Sequence, residues 1–484
     1  MRSVWSVDQI RAAEAELIAG IGTAALMQRA AYALAVHCGR MLGRAYGSRV
    51  VLLVGAGNNG GDALYAGVAL LRRGAAVHAV LLAPDRVHPR GVLAFADGGG
   101  TVGVAETARR QLDHADLVID GIVGIGGRGA LRAPAEQLVA GLRCPVVAVD
   151  VPSGLDADTG HVDGAAVRAS ATVTFGGLKL GLVVGSGVEH SGALHEVDIG
   201  LHLADPVARV LESVDASALL PVPAPGDDKY SRGVVGIVSG SVAYEGAAVL
   251  SVGGALRAKA GMVRYVGTAS DGVRARWPEA VVTDVRPAEA GRVQAWVIGP
   301  GLGTDEHARG LVAEVLGTDL PVVVDADGLT LVGRAPDLVR GRAAPTVLTP
   351  HDREFERIFG PVGDDRIGSV RRAAADIGAT VLLKGQATIV GAPDGRAFVN
   401  PTGTGWLASA GTGDVLSGLV GALVAAGGDP TEAAAAAAYT HGVAGALAAG
   451  SSDPVSTATG APIIAMDVVA AIPAAIRIIR SGVR

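Results

Sequence analysis

Short runs of valine, leucine and isoleucine recur along this chain with helix-like segments between them, and most stop at a Gly, Asp or Pro. From Val50 to Ile199 they read "VVLLVG", "AVHAVLLAP", "DLVIDG", "PVVAVDVPSG" and "ATVTFGG". A second series runs through "GVVGIVSG", "MVRYVGT", "AWVIGPGLG", "PVVVDADGL", "TVLTPH" and "TVLLKGQATIV", then gives way to long Ala-rich helices. Nearly continuous apolar runs belong to strands buried on both faces, and helices between them supply the crossovers of a parallel sheet. The rhythm therefore predicts α/β architecture with ligands gathered at the carboxyl ends of the strands. Between the two series, Pro221, Pro223 and Pro225 crowd the stretch "LLPVPAPGDDK", which suits neither helix nor central strand, so the domain boundary is expected there.

At 484 residues the chain exceeds the usual size of a single core. Aromatics make up only 3% while glycines number 71, so the cores must be built from Val, Leu and Ala, with many tight loops. A net charge of -6 without a long basic run gives no reason to expect nucleic acid or an anionic membrane as partner. Cys38 and Cys144 are too few for a disulfide framework or a metal cluster, so they read as packing residues and the cytoplasm is the expected compartment. The first residues form an amphipathic pattern rather than a signal peptide. The apolar region from Val415 to Gly450 is broken by Asp429, Pro430, Glu432 and His441, as in packed helices rather than a span.

The stretch "VVLLVGAGNNGGDA" places Gly55, Gly57 and Gly60 in a G-x-G-x-x-G spacing directly after an apolar run. Such glycines let the backbone approach a pyrophosphate and aim a helix N-terminus at it. A redox nicotinamide site also wants an acidic residue about 20 positions on. Here the second run ends on Leu82 and Ala83 without one, so the loop suits phosphate but not ordinary redox use of NAD.

Four strand-end segments of the first half carry more polar residues than packing needs: "GAGNNGGD", "DGIVGIGGRG", "DVPSGLD" and "FGGLKLG". Each alone could be a turn, but a parallel sheet would bring all four to one edge. Together they resemble the NAD(P)H-hydrate epimerase family, a Rossmann-like α/β domain, over residues 1–211. The resemblance implies that Asn58, Asn59, Gly60, Gly61 and Asp62, with the loop Gly124, Ile125, Gly126, Gly127, Arg128, Gly129 and Ala130, cradle a hydrated nicotinamide nucleotide. It also implies a potassium ion on Asn59, Asp120 and Ser153, with Asp150 facing the substrate and Lys179 in proton transfer or on a phosphate. Oxygen ligands suit that hard cation. The family usually has glycine where this chain has Ala63.

In the second half, "SAGTGDVLSGLVGAL" opens a helix with Gly411, Thr412 and Gly413 just before Asp414. Amides at a helix start bind phosphoryl oxygens, and the aspartate beside them is placed to take a proton from an acceptor hydroxyl. "AGTGD" resembles the signature of ribokinase-like kinases. With "KYSRG", "AYEGAA", "VIGPGLG", "TPHDREFER" and "LLKGQATIV" the likeness narrows to the nucleotide-dependent NAD(P)H-hydrate dehydratase family, over residues 219–484. His351 stands where sugar and vitamin kinases tend to carry asparagine. The resemblance implies that Ala247, Gly301, His351 and Asp414 contact the hydrated cofactor, while Lys384, Gly385, Gln386, Ala387, Thr388 and Gly413 contact ADP or ATP. Asp325 and Asp327 are candidates for magnesium-bound water, and Trp406 lies in a turn longer than many members have. His78 and His441 read as ordinary core or surface residues.

The two halves thus point to one damaged metabolite, hydrated NADH or NADPH, epimerised by one half and dehydrated by the other. The expected molecule has two three-layer α/β domains, the first Rossmann-like and the second ribokinase-like, and forms a homo-oligomer. A small-alcohol kinase fused to a ligand-binding module is the rival reading. An NAD-dependent oxidoreductase is disfavoured by the missing ribose acid.

Overall fold

The computed structural model describes residues 1–258, 260–451 and 460–482. It divides into two compact units, one of Ser3–Val207 and one of Met1–Arg2 with Ala208–Arg484. In the first, seven strands pair in parallel in the order Thr101–Val104, Ala76–Leu81, Arg49–Val54, Leu117–Gly121, Val146–Val149, Ala171–Phe175 and Ala193–Val197. Successive side chains point to opposite faces, and both faces are covered. Val50, Leu52 and Val54 enter one core with the helices Thr23–Met41 and Asn58–Leu71, while Val51 and Leu53 enter another with Leu112, Leu131 and Leu138. The result is the three-layer, doubly wound arrangement the sequence predicts. Chain order reverses between Arg49–Val54 and Leu117–Gly121, and in such sheets the crevice opens at that point, beyond the carboxyl ends of the strands.

The second unit has the same reversal, between Val234–Val238 and Ala295–Ile298. Parallel pairing runs from Val281–Thr283 through Met262–Val266, Val234–Val238, Ala295–Ile298, Val322–Val324 and Thr346–Leu348 to Thr380–Leu383. An antiparallel hairpin of Thr388–Gly391 and Ala397–Asn400 then extends the sheet. Ala208–Val210 adds alongside, with Arg209 opposite Phe398. The boundary expected at Pro221 to Pro225 lies downstream of that strand. The division falls at Val207, because Ala208–Val210 completes the second sheet and Ala216 and Leu220 are buried in the second core.

Two glycine contacts position the helix that carries Asp414. The helices Glu245–Arg257 and Thr412–Ala425 touch backbone to backbone, so a Cβ at Gly418 would run into the Ser251 carbonyl oxygen, and one at Gly254 into that of Val415. Gly418→Ala is expected to destabilise the second unit by about 1–3 kcal/mol through overpacking, outweighing the roughly 1 kcal/mol that alanine gains in helix propensity. Denaturant unfolding checks the sign, and a stabilised variant would disprove the contact. Cys38 is buried and Cys144 half-buried, both as free thiols, and burial pushes Cys38 up to about 12. Among the described residues no single helix is long and apolar enough to cross a membrane.

Candidate active sites

In the first unit the strand ends at the reversal point are pressed together. Gly55 follows Arg49–Val54, and a Cβ there would collide with the Ile122 carbonyl, just beyond Leu117–Gly121. The helix Asn58–Leu71 then starts on Gly57, with Asn58, Asn59, Gly60, Gly61 and Asp62 in its first turns. The Asn59 carboxamide lies over Gly124, at the head of the loop to Ala130, and its Nδ2 is buried without a partner among the described residues.

Asp120 is fully buried beside it. Its Oδ1 accepts from Ser153 Oγ at 2.6 Å and from the Ile122 amide at 3.2 Å, and its Oδ2 accepts from the Ser153 amide at 2.8 Å. Ser153 Oγ also lies 3.2 Å from the Val123 carbonyl oxygen. Burial pushes Asp120 up to about 6, although these hydrogen bonds pull the other way.

The buried ion pair of Asp150 and Lys179 completes this edge, Nζ to Oδ1 being 2.5 Å. Lys179 also donates to the Phe175 carbonyl at 2.7 Å and to Thr174 Oγ1 at 3.1 Å, and its strand is held by pairing of Trp5 opposite Lys179. Asp150 adopts φ +68°, a left-handed conformation costly for a residue with a Cβ and characteristic of functional positions. The Asp62 carboxyl is driven well above its usual range, first by burial, then by the charges of Asp150 and Glu14, and its Oδ1 has no hydrogen-bond partner among the described residues. Lys179 is thus the buried counter-ion of Asp150. Two contributors went unread in the sequence, Arg11 and Glu14, because a lone amphipathic helix does not reveal what it covers. Arg11 Nη2 reaches the Ile125 carbonyl oxygen at 3.4 Å.

In the second unit Gly411 takes φ +89° as the N-cap of Thr412–Ala425, and Asp414 falls in the first turn of that helix. Thr412 Oγ1 ties the loop to the Leu407 carbonyl at 2.7 Å, and buried His441 Nε2 lies 3.0 Å from the Thr412 carbonyl oxygen. Burial pushes His441 down to about 4, so its ring is neutral and donates to that carbonyl. The sequence reading set His441 aside as an ordinary residue. It is a buried core residue, as that reading allows, and the packing of Pro430–Ala448 brings its ring against the Gly411–Gly413 turn.

Lys384 Nζ binds Asp325 Oδ1 at 2.8 Å and lies 3.7 Å from Glu354 Oε2, while Asp325 Oδ2 accepts a short hydrogen bond from Ser417 Oγ. Burial pulls Lys384 down, but Asp325, Glu354 and Asp414 outweigh it and hold the ammonium above its usual range. Asp414 is raised to about 7, mainly by burial, then by the Asp325 charge, with Lys384 opposing and Asp327 and Glu354 adding. Asp327 Oδ2 accepts from the Gly303 amide at 2.8 Å. Ala247 and Gly301 are neighbours, since a Cβ on Gly301 would meet that of Ala247 at 2.7 Å. His351 caps the helix Asp352–Phe359 through Nδ1, leaving its ring half-exposed. Beyond Lys384, Gly385 lies by the Arg366 guanidinium, Ala387 is buried and Thr388 opens the hairpin, with Gln386 between. Among the described residues no group of three His, Cys, Asp or Glu side chains is gathered to hold a metal.

Residues 23–181 match the family described as YjeF-related protein N-terminus, and residues 235–462 the family described as NAD(P)H-hydrate dehydratase. The chain is 53% identical over 443 residues to the bifunctional NAD(P)H-hydrate repair enzyme Nnr of Mycobacterium tuberculosis, covering 90% of this chain and 92% of that one. It is 50% identical over 449 residues to the enzyme of the same name from Mycobacterium leprae, covering 91% and 93%. A solved structure of the ADP/ATP-dependent NAD(P)H-hydrate dehydratase from Bacillus subtilis, co-crystallised with ATP and magnesium, aligns with a TM-score of 0.51 at 28% identity, over 56% of this chain and 99% of that one. Both halves are matched in order and the relatives are covered almost end to end, so this chain belongs to the family of bifunctional NAD(P)H-hydrate repair enzymes.

Proposed function

We propose that residues 1–211 epimerise the hydroxyl-bearing carbon of hydrated NADH and NADPH, and that residues 219–484 dehydrate the S form with ADP or ATP as phosphoryl donor. The observation that carries the second assignment is Asp414, a carboxyl raised to about 7 in the first turn of a helix that opens with Gly411 in the left-handed region. A carboxylate tuned near neutrality is suited to accept the proton of the ring hydroxyl as that oxygen takes the phosphoryl group. The Gly411, Thr412 and Gly413 amides and the helix dipole stabilise the charge on the transferred group, and Lys384 adds a cation fixed by Asp325. Once phosphorylated, the hydroxyl oxygen leaves as phosphate, pushed out by the lone pair of the ring nitrogen, and the double bond of NAD(P)H is restored. Asp325 already gives both oxygens to Lys384 and Ser417, which leaves Asp327 as the carboxylate best able to hold magnesium-bound water. Magnesium when bound offsets phosphate charge.

In the first unit, one buried carboxylate among neutral oxygens, those of Asn59, Ser153 and the Val123 carbonyl, fits a monovalent cation better than a divalent one. Asp120, raised to about 6 by burial, has no cationic neighbour among the described residues, which is the deficit potassium would fill. The ion when bound would lock the Asn59, Gly124 and Ser153 loops around the nucleotide, leaving Asp150 and Lys179 for proton handling. We further propose a homo-oligomer working in the cytoplasm.

The test is to incubate the protein with both hydrate isomers and ADP or ATP, following absorbance of the reduced nicotinamide. Failure to recover NADH with either nucleotide overturns the proposal. A base near 7 must be ionised to act, so kcat/KM for dehydration is expected to fall about tenfold per pH unit below 7 and to level off above it. A flat profile between pH 5.5 and 8 would remove Asp414 as the base.

A further inference from the structure

The helix Val7–Ile21 lies against the first unit's site with one face. Residues 7, 11 and 14 fall on that face, separated by one helical turn each. The Val7 amide donates to Asp158 Oδ1 at 2.7 Å, and Arg11 reaches the Ile125 carbonyl in the substrate loop. One turn further, Glu14 is half-buried and makes no hydrogen bond or ion pair with any described residue, yet it is close enough to Asp150, Lys179 and Asp62 for their charges to bear on one another. A partly buried carboxyl held by its helix against that loop, beside an ion-paired aspartate and with no partner among the described residues, is placed to meet a ligand there.

We propose that Glu14 is a second acid-base residue of the epimerase, working with Asp150 on the ring hydroxyl; this rests on the reading of the first unit given above. The carbon that inverts carries both the hydroxyl and the ring nitrogen. Glu14 donates its proton to the hydroxyl, the carbon–oxygen bond breaks, and the nitrogen lone pair forms a carbon–nitrogen double bond as water departs. Water then adds to the opposite face of that cation, the nitrogen regains its lone pair, and Asp150 takes the proton released. One water leaves and one enters, and a proton passes from Glu14 to Asp150 to be returned through solvent. The groups around Glu14 fit this division: burial first, and then the Asp150 charge, raise it, while Lys179 and Arg11 pull the other way and leave the net shift upward. It therefore keeps its proton to higher pH than a free glutamate, whereas Asp150 is tied to Lys179.

Glu14→Gln is expected to lower kcat for epimerisation on the order of 10²-fold or more, with KM changed less than about threefold, and to remove the loss of rate at high pH that titration of Glu14 imposes. Glu14→Asp should retain that high-pH limb at reduced rate. In wild-type protein run in ¹⁸O-water, each inverted molecule should carry one heavy oxygen. The denaturant midpoint of the first unit serves as the folding control, with dehydration of the S hydrate as the check on the second unit. Wild-type kcat and pH profile in Glu14→Gln, or a raised KM alone, would overturn the proposal, as would inversion without ¹⁸O uptake. Asp150→Asn separates the two readings, because a variant that still epimerises normally removes the site itself rather than only Glu14.

Discussion

Asp414→Asn is expected to abolish recovery of NADH from its hydrate while leaving interconversion of the two hydrate isomers near normal. Asparagine keeps the shape of the side chain and one accepting oxygen, but it cannot receive the hydroxyl proton. Losing a positioned base costs on the order of 10²- to 10⁴-fold in rate. Nucleotide affinity should change little, since the phosphate contacts come from the 411–413 amides and from Lys384, which stays anchored to Asp325. Stability should not fall either, because the substitution removes a buried carboxyl that Asp325, Asp327 and Glu354 repel. The measurement mixes the variant with both isomers, ADP or ATP, and magnesium, and follows absorbance and isomer ratio together. Undiminished NADH recovery would sink the proposed base, and a variant that loses both activities would contradict the separation of the two units.

Asn59→Ala and Asp120→Ala should both slow epimerisation and raise the potassium concentration needed for half-maximal rate by about tenfold or more, while dehydration of the S hydrate persists. They should differ in stability. Asp120→Ala strands the Ile122 and Ser153 amides in a buried site, at about 1–3 kcal/mol for each unsatisfied group, while the Ser153 hydroxyl keeps the Val123 carbonyl as acceptor. Asn59→Ala removes an amide whose nitrogen has no partner, so the first unit should unfold at nearly its wild-type denaturant midpoint. Rates are read by chromatography of the isomers across a potassium titration. Wild-type potassium dependence in Asn59→Ala would remove the cation site. Equal destabilisation by both variants would assign these residues to folding instead.

The expected apolar runs became strands, and their order along the chain was enough to predict layered α/β units with sites at the strand ends, because a strand buried on both faces must be apolar at every position. Strands that escaped notice, among them Thr101–Val104 and Ala193–Val197, lie at or near sheet edges, where exposed side chains relax that demand. The boundary turns on a related point. Prolines mark where regular structure stops, not which core the flanking residues join, and Ala208–Val210 joins the second.

The glycine loops and the GTGD turn were legible because turn and helix start lie within a few residues, whereas Asn59, Asp120, Asp150 and Ser153 were named through the family resemblance, and Ser153 meets Asp120 across 33 residues. The surroundings of Lys179, Ser417, His441, Arg11 and Glu14 were set only by tertiary structure. Each acts through a partner 29 residues away for Lys179, 92 for Ser417 and 29 for His441, or by laying the helix Val7–Ile21 over the loop that follows Leu117–Gly121. No sequence spacing encodes such a meeting, and the burial that tunes Asp414 to about 7 and Asp120 to about 6 exists only once the surrounding chain has excluded water.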